Sequence, residues 1–199
     1  MPRIVSLLPW WLAVLLLRAT LPAQAVVQEP DAAATAAAVQ AAMLHKIAGY
    51  VALEETKETK DGQQPPAPTK YRIGVVGNDA TVASATKTLP GKSVRGATVE
   101  LVTVSVDDAI AGRAAASCDL LYIAGAVDAQ TVAKIVGKHA DKPVPLVCAQ
   151  PGFAAAGGGV QLFVKDGCMR FEVNTEALRR QGLHASAQLL KHSQKGPKR

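Results

Sequence analysis

The segment "YRIGVVGNDATVASATKTLPG", residues 71–91, decides the fold class. Tyr71–Gly77 is a continuous run of mainly apolar and β-branched residues without polar alternation, as in a strand buried on both faces of a parallel sheet. Asp79–Leu89 follows with the composition of a short helix, which Pro90 and Gly91 end. The segment therefore predicts one strand-then-helix unit of an α/β domain.

The same pattern recurs along the chain. Helices are predicted over Val106–Ala116, with Ser105 as its cap, and over 128–139, with Asp128 as its cap and Val132, Ile135 and Val136 on its apolar face. Further strands are predicted at Thr98–Val104, Cys118–Gly125 and Val144–Ala149. Right-handed crossovers would place helices on both faces of a mostly parallel sheet, so the fold class is α/β.

A hairpin is predicted near the end of the domain. Asp166-Gly167 joins "VQLFVK" to "CMRFEV", and this dipeptide is the strongest short signal for a two-residue hairpin turn. The apolar pairs Val164–Met169, Leu162–Phe171 and Val160–Val173 share one face, which should pack on the core, while the other face should be half exposed. A closing helix should be capped by Asn174 or Thr175 and should break or kink at Gly182.

One helix is predicted ahead of the sheet. Asp31 is a candidate cap, and Val39, Met43, Ile47, Tyr50 and Val51 form an apolar stripe. Residues 54–69 are polar, charged and rich in proline, which predicts a flexible loop.

The first 25 residues have the order of a secretory signal peptide. Arg3 precedes an apolar run over Ile4–Leu17, and Ala23-Gln24-Ala25 fits a cleavage site. The run is shorter than the ~20 residues of a spanning helix, so no stable membrane insertion is expected after cleavage. A single domain over residues 26–193, exported to the periplasm, is predicted, with a disordered basic tail over 194–199.

Composition limits the partners. The net charge is +6, and removal of Arg3 and Arg18 with the signal peptide leaves +4. Aromatic residues make up only 4% of the chain and none interleaves with the lysines of the tail. Nucleic acid is therefore not expected as a partner.

No pattern predicts catalysis, a cofactor or a metal. "GVVGND" lacks the spacing of a dinucleotide or P-loop motif, and the four histidines lack a third ligand at zinc spacing. Three cysteines allow one disulfide at most, and a bridge between Cys148 and Cys168 stays open at this point.

Several segments resemble the YfiR-like family. The most specific are "PLVCAQPGFAAAGG" and "FEVN" followed by "GLHASAQLL". The resemblance implies a non-enzymatic periplasmic regulator that binds a membrane signalling protein such as a diguanylate cyclase or sensor kinase, and it allows a homodimer. Some members pair the cysteine at the Cys118 position with one in the first strand. Gly74 stands there in this chain, so that bridge is not expected.

Three hypotheses of function follow. The first is the regulatory module, with Gly152, Phe153, Phe163, Cys168 and Arg170 as candidate partner contacts, because exposed Phe and Arg are enriched at interface hot spots. The second is a periplasmic small-ligand-binding protein. The third is an exported enzyme with Cys168 as nucleophile.

Overall fold

The computed structural model describes residues 32–53 and 69–196. The helices are α1 (Ala32–Tyr50), α2 (Ala80–Thr88), α3 (Val106–Ile110), α4 (Ala129–His139), α5 (Thr175–Arg180) and α6 (Ala187–His192). The strands are β1 (Val51–Leu53), β2 (Lys70–Val76), β3 (Ser93–Val94), β4 (Ala97–Val104), β5 (Leu120–Ile123), β6 (Leu146–Cys148), β7 (Val160–Lys165), β8 (Cys168–Val173) and β9 (Leu183–Ala185).

The predicted α/β class is confirmed. Seven strands form one sheet in the order β3-β4-β2-β5-β6-β7-β8, in which the five inner strands run parallel and the two edge strands antiparallel. α1 packs against α2, and α3 packs against α4. Right-handed crossovers place α2 on one face of the sheet and α3 and α4 on the other.

β2 lies at the centre of the core because its side chains are apolar on both faces. Ile73, Val75 and Val76 are all buried, as the unbroken apolar run predicts. β5 and β6 are also buried throughout, but each is shorter than predicted. The residues at the ends of those two predictions lie in the loops that flank the strands.

The caps of α3 and α4 are confirmed, but the length of α3 is not. Ser105 accepts from the Asp108 N–H, and Asp128 accepts from the amides of Gln130 and Thr131. The prediction of one helix over 106–116 is wrong. Gly112 has φ +74, and this left-handed residue separates α3 from a 3-10 turn at Arg113–Ala116.

The predicted apolar face of α1 is only partly correct. Ile47 is buried, but Val39 is 42% exposed, and Val51 lies in β1 rather than in the helix. The buried face also carries small residues at helical spacing, which are Ala37, Ala41 and Ala48 together with Leu44. Alanine lets the helix axis approach its neighbours closely. The buried face of α1 is therefore centred on small side chains rather than on the larger apolar residues of the predicted stripe.

A second sheet was not predicted. β1 pairs antiparallel with β9, which puts Val51 opposite Ala185 and Leu53 opposite Leu183. The closing helix does break at Gly182, where φ is +68, but a strand stands between α5 and α6. Three residues are too few for a period-2 pattern to be visible in the sequence.

Several predictions fall outside the described residues. They are the signal peptide, the Asp31 cap, the loop over 54–68 and the tail from 197 onward. The start of the predicted tail needs correction, because the Gln194 N–H donates to the Phe171 carbonyl at 2.9 Å and the Gly196 N–H to Glu172 Oε2 at 2.7 Å.

A cysteine at position 74 should form a disulfide with Cys118. A Cβ built on Gly74 lies 3.2 Å from the Cys118 Cβ, slightly closer than the usual disulfide separation, and 2.9 Å from Leu121 Cδ1. The Leu121 side chain and the backbone near Cys118 must therefore shift slightly. We expect the free energy of unfolding of oxidised Gly74→Cys to be about 2–4 kcal/mol higher than that of the same protein after reduction. Urea denaturation with and without dithiothreitol, and a count of free thiols, measure this.

Gly74→Cys combined with Cys118→Ser serves as the control and should show no effect of reductant. Two freely titrating thiols at positions 74 and 118 in the oxidised single variant would contradict the prediction.

Candidate functional site

The carboxyl ends of β2 and β5 define the place where open α/β sheets usually bind ligands. The chain leaves β2 towards β4 on one side and returns past it to β5 on the other, which makes a topological switch point. Asp79 fills this crevice with its own carboxylate. Oδ1 accepts from the Val82 N–H at 2.8 Å, and Oδ2 accepts from the Gly125 N–H at 2.8 Å and the Tyr122 hydroxyl at 3.1 Å.

Neighbouring side chains close the crevice further. Gln150 Nε2 donates to the Val127 carbonyl, and Thr81 donates to Gln40 of α1. Burial raises the pKa of Tyr122, so its hydroxyl stays protonated and remains a donor to Asp79. A phosphate at the amino end of α2 would have to displace a carboxylate that is already bound there.

Two of the predicted partner contacts are buried. Phe153 is 2% exposed and packs so closely on Gly158 that a Cβ there would overlap its ring. Phe163 is 7% exposed and lies beneath Gly196. Neither ring is available to a partner, because the loop after β6 and the C-terminal residues cover them.

The hairpin register is confirmed at the three predicted apolar pairs, but the predicted exposure of the two faces is not. Gln161 and Phe163 were expected on a half-exposed face and are buried, since residues 193–196 run along β8 and cover them. Val164 was expected in the core and is 59% exposed. The hairpin extends beyond the body of the domain at its tip.

The other three predicted contacts do not form one patch. Cys168 is exposed at the hairpin tip and Arg170 is half-buried on β8. Gly152 is half-buried in the turn that precedes β7, with φ +80. β7 separates Gly152 from the tip by about 17 Å at ~3.3 Å per residue, so the set divides into a loop group and a hairpin group.

All three cysteines are free, so the hypothesis of a Cys148–Cys168 bridge is wrong. Cys148 lies opposite Gln161, and Cys168 lies opposite Lys165, which places them about 13 Å apart along the sheet. Burial raises the pKa values of Cys118 and Cys148 to about 11. Among the described residues, none hydrogen-bonds to Cys168 to act as a base for a nucleophilic thiol.

A surface groove, which we name the α1–α6 groove, lies between α1, β8 and α6. It encloses about 440 Å³. Among the described residues, its lining contains the cations Lys46, Arg170 and Lys191 and no carboxylate. The rest of the lining is Met43, Ile47, Tyr50, Met169, Phe171, Gln188, Leu189, His192 and Gln194.

The cations of the α1–α6 groove have no counter-ion within the described ranges 32–53 and 69–196. The ion pairs there lie elsewhere, at Lys70–Glu100, Arg72–Glu100, Arg113–Asp108 and Arg179–Glu176. Of the groove residues, the sequence analysis named only Arg170 as a candidate partner contact. Lys46, Arg170 and Lys191 belong to three distant segments, and only the packing of α1 and α6 against β8 brings them together.

A second cavity of about 400 Å³ lies at the amino ends of β2 and β5. Its main polar groups are Tyr71, Asp119 and Arg95. The Arg95 guanidinium donates to the Ala48 carbonyl at 3.2 Å and the Val51 carbonyl at 2.6 Å, and lies 5.8 Å from the centroid of the Tyr71 ring. These hydrogen bonds of Arg95 therefore hold the end of α1 against the β3–β4 turn.

Within the part of the chain that the structure describes, no three potential ligands among His, Cys, Asp and Glu gather to hold a metal ion. No helix in those residues has the length and apolar content needed to cross a bilayer.

Fold and surface together define an α/β module with a filled switch point and a basic surface groove. The profile of the DUF4154 family, YfiR/HmsC-like, matches residues 37–194. The chain belongs to the YfiR/HmsC-like family, whose members are known as periplasmic regulators.

No curated protein matches the chain significantly. Two solved structures resemble part of it. A conserved domain protein of Vibrio cholerae is 16% identical with a TM-score of 0.44, and the match covers 61% of this chain and 53% of that one. The ABC domain in complex with L-Trp from Streptococcus pneumonia is 12% identical with a TM-score of 0.44, covering 62% and 54% respectively. The match thus spans about half the length of either solved chain.

Loss of the Asp79 carboxylate should destabilise the domain more than loss of an ordinary helix cap. Asp79→Ala removes the α2 cap and also leaves the Gly125 amide and the Tyr122 hydroxyl without their acceptor. We expect about 2–4 kcal/mol lower free energy of unfolding in urea. Asp128→Ala, which removes only the α4 cap, is the matched control and should cost about 1 kcal/mol. Equal losses in the two variants would show that the crevice contacts contribute nothing.

Because of His139, the free energy of unfolding should decrease in mild acid. The imidazole is buried, Nδ1 lies 2.9 Å from the Ile135 carbonyl, and Nε2 has no hydrogen-bond partner among the described residues. Burial, and secondarily the nearby Lys142, lower the pKa of His139 below 6.5. The unfolded chain therefore binds this proton first, so stability is full above about pH 6.5 and declines below it by at most about 1.4 kcal/mol per pH unit.

Urea titrations between pH 7.5 and 5 test this expectation. His139→Gln should flatten the decline, whereas His184→Gln, at an exposed position, should leave it unchanged. The prediction is wrong when the slopes of the parent and His139→Gln coincide.

Proposed function

We propose that this protein is exported to the periplasm, where it binds the periplasmic part of a membrane signalling protein and modulates its activity. Membership of the YfiR/HmsC-like family is the single observation that carries the proposal. The partner class is a diguanylate cyclase or a sensor kinase. The chain acts without making or breaking bonds.

The geometry supports a binding role in two ways. The ligand crevice of the sheet is occupied by the carboxylate of Asp79, which bonds to Gly125 and Tyr122. The groove at the edge of the sheet offers unpaired cations at the surface. Recognition of a protein by the outer surface therefore fits this molecule better than chemistry in a cleft.

Regulation would follow from a difference in affinity. When the regulator binds one state of the signalling protein more tightly than the other, it shifts the partner towards that state by the ratio of the two affinities. A tenfold ratio corresponds to about 1.4 kcal/mol, which a modest interface supplies.

The cavity beside Arg95 favours a second candidate function, the binding of a small ligand. Its size falls within the range of ligand pockets, and its lining is mainly apolar. The main cation there, Arg95, is already bound to two carbonyls. Saturable thermal stabilisation of the purified protein by a metabolite would favour this alternative.

Direct binding to purified partner domains tests the proposal. We expect the mature chain to bind at least one periplasmic domain from the diguanylate cyclases and sensor kinases of its own genome with a Kd below about 10 µM. Biolayer interferometry against each domain separately measures the affinity, and the activity of the full-length partner in liposomes measures regulation. Absence of binding to every domain would overturn the proposed function.

A further inference from the structure

We propose that the α1–α6 groove receives an extended acidic segment of the partner protein, which adds to the free edge of β8. The identity of the partner rests on the proposed function, whereas the site and the chemistry of its occupant rest on the groove itself. β8 is the edge strand of the seven-stranded sheet, and one wall of the groove is formed by Met169, Arg170 and Phe171.

The hairpin turn determines which backbone groups point outward. Asp166 and Gly167 both have positive φ, +52 and +69, as a type I′ turn requires. In such a two-residue hairpin Cys168, Arg170 and Glu172 hydrogen-bond to β7, and the backbone groups of the residues between them point away from it. The outer edge of β8 therefore carries the N–H and C=O groups of Met169, Phe171 and Val173.

The C-terminal segment satisfies only half of that edge. The Val173 N–H donates to Ser193 Oγ at 2.9 Å, and the Phe171 carbonyl accepts from the Gln194 N–H at 2.9 Å. No described residue hydrogen-bonds to the N–H or C=O of Met169 or to the N–H of Phe171. These three groups, beside the groove, are a template for main-chain pairing with an added strand.

Charge selects an acidic occupant. Lys46 of α1, Arg170 of β8 and Lys191 of α6 line the groove from its three sides, and none has a counter-ion among residues 32–53 and 69–196. The neighbouring carboxylate, Glu172, accepts from the Gly196 N–H instead of facing the groove. Glutamate or aspartate side chains of an incoming segment would provide the missing counter-ions.

The apolar part of the groove favours a peptide over a lipid surface. Met43, Ile47, Met169 and Leu189 contribute to the lining, and methionine adapts its shape to different side chains. A strand alternates its side chains, so acidic residues could meet the cations while apolar residues enter the groove. Anionic lipid would match the charges but not the free backbone groups of Met169 and Phe171.

Two probes separate this inference from the proposed function. The first is any partner domain that binds in the panel described above. The second is a synthetic (Glu-Val)4 peptide, with (Lys-Val)4 as its opposite-charge control. Lys46→Glu/Lys191→Glu reverses two cations of the groove, one within a helix and one in a last turn. Lys134→Glu/Lys138→Glu is the matched control, because it makes the same changes on exposed positions of α4, which lies on the other face of the sheet.

We expect the groove variant to bind both the partner domain and (Glu-Val)4 at least tenfold more weakly, while the α4 variant keeps the parent affinity. Hydrogen exchange of the Met169 and Phe171 amides should become slower when (Glu-Val)4 is bound. The exchange rates of these amides should not change when (Lys-Val)4 is added. Thermal unfolding should be similar for both variants, which confirms that a loss of binding is not a loss of fold.

Each contrary outcome has a distinct meaning. A partner domain that binds parent and groove variant equally overturns the groove and leaves the proposed function standing. Binding and protection by (Glu-Val)4 without any partner domain supports the groove and overturns the function. Failure of (Glu-Val)4 to protect the β8 amides, or binding only to phosphatidylglycerol vesicles, overturns the inference.

Discussion

The carboxylate of Asp79 is the constraint on which the arrangement of this sheet depends. It caps α2 through the Val82 amide and crosses to the next parallel strand through Tyr122 and Gly125. One side chain thereby joins the two halves of the domain where the strand order reverses. Because the carboxyl group of Asp79 occupies the amino end of α2, the position that holds a phosphate in many α/β enzymes is already filled. The proposed function therefore assigns recognition to the outer surface.

The two edges of the sheet differ in what they leave open. β3 is two residues long and covers only the start of β4, so the outer edge of β4 beyond Val99 has no strand partner among the described residues. The cations beside that edge, Lys70 and Arg72, are paired with Glu100. β8 has six residues, and the segment after α6 satisfies the half near Val173. The half near Met169 has free backbone groups and lies in the α1–α6 groove. Natural sheets usually protect such an edge, so an open one beside unpaired cations is well placed for regulated contact.

The sequence predicted what local chemistry determines. The unbroken apolar run of β2, the Asp128 cap and the Asp166-Gly167 turn each act within a few residues, and all three predictions are confirmed. The exposure of the hairpin depends on distant segments. Phe163 was therefore predicted on a half-exposed face, but the C-terminal residues bury it. The β1–β9 pair and the meeting of Lys46 with Lys191 also arise from long-range packing, which no short pattern encodes.

The groove is held in place before any partner arrives. Arg95 binds the carbonyls at the end of α1, and Gln40 accepts from Thr81 two residues after Asp79. α1 is thus fixed at two points, one near the β3–β4 turn and one near the switch point. A fixed wall loses little conformational entropy when a segment binds, so more of the interaction energy appears as affinity.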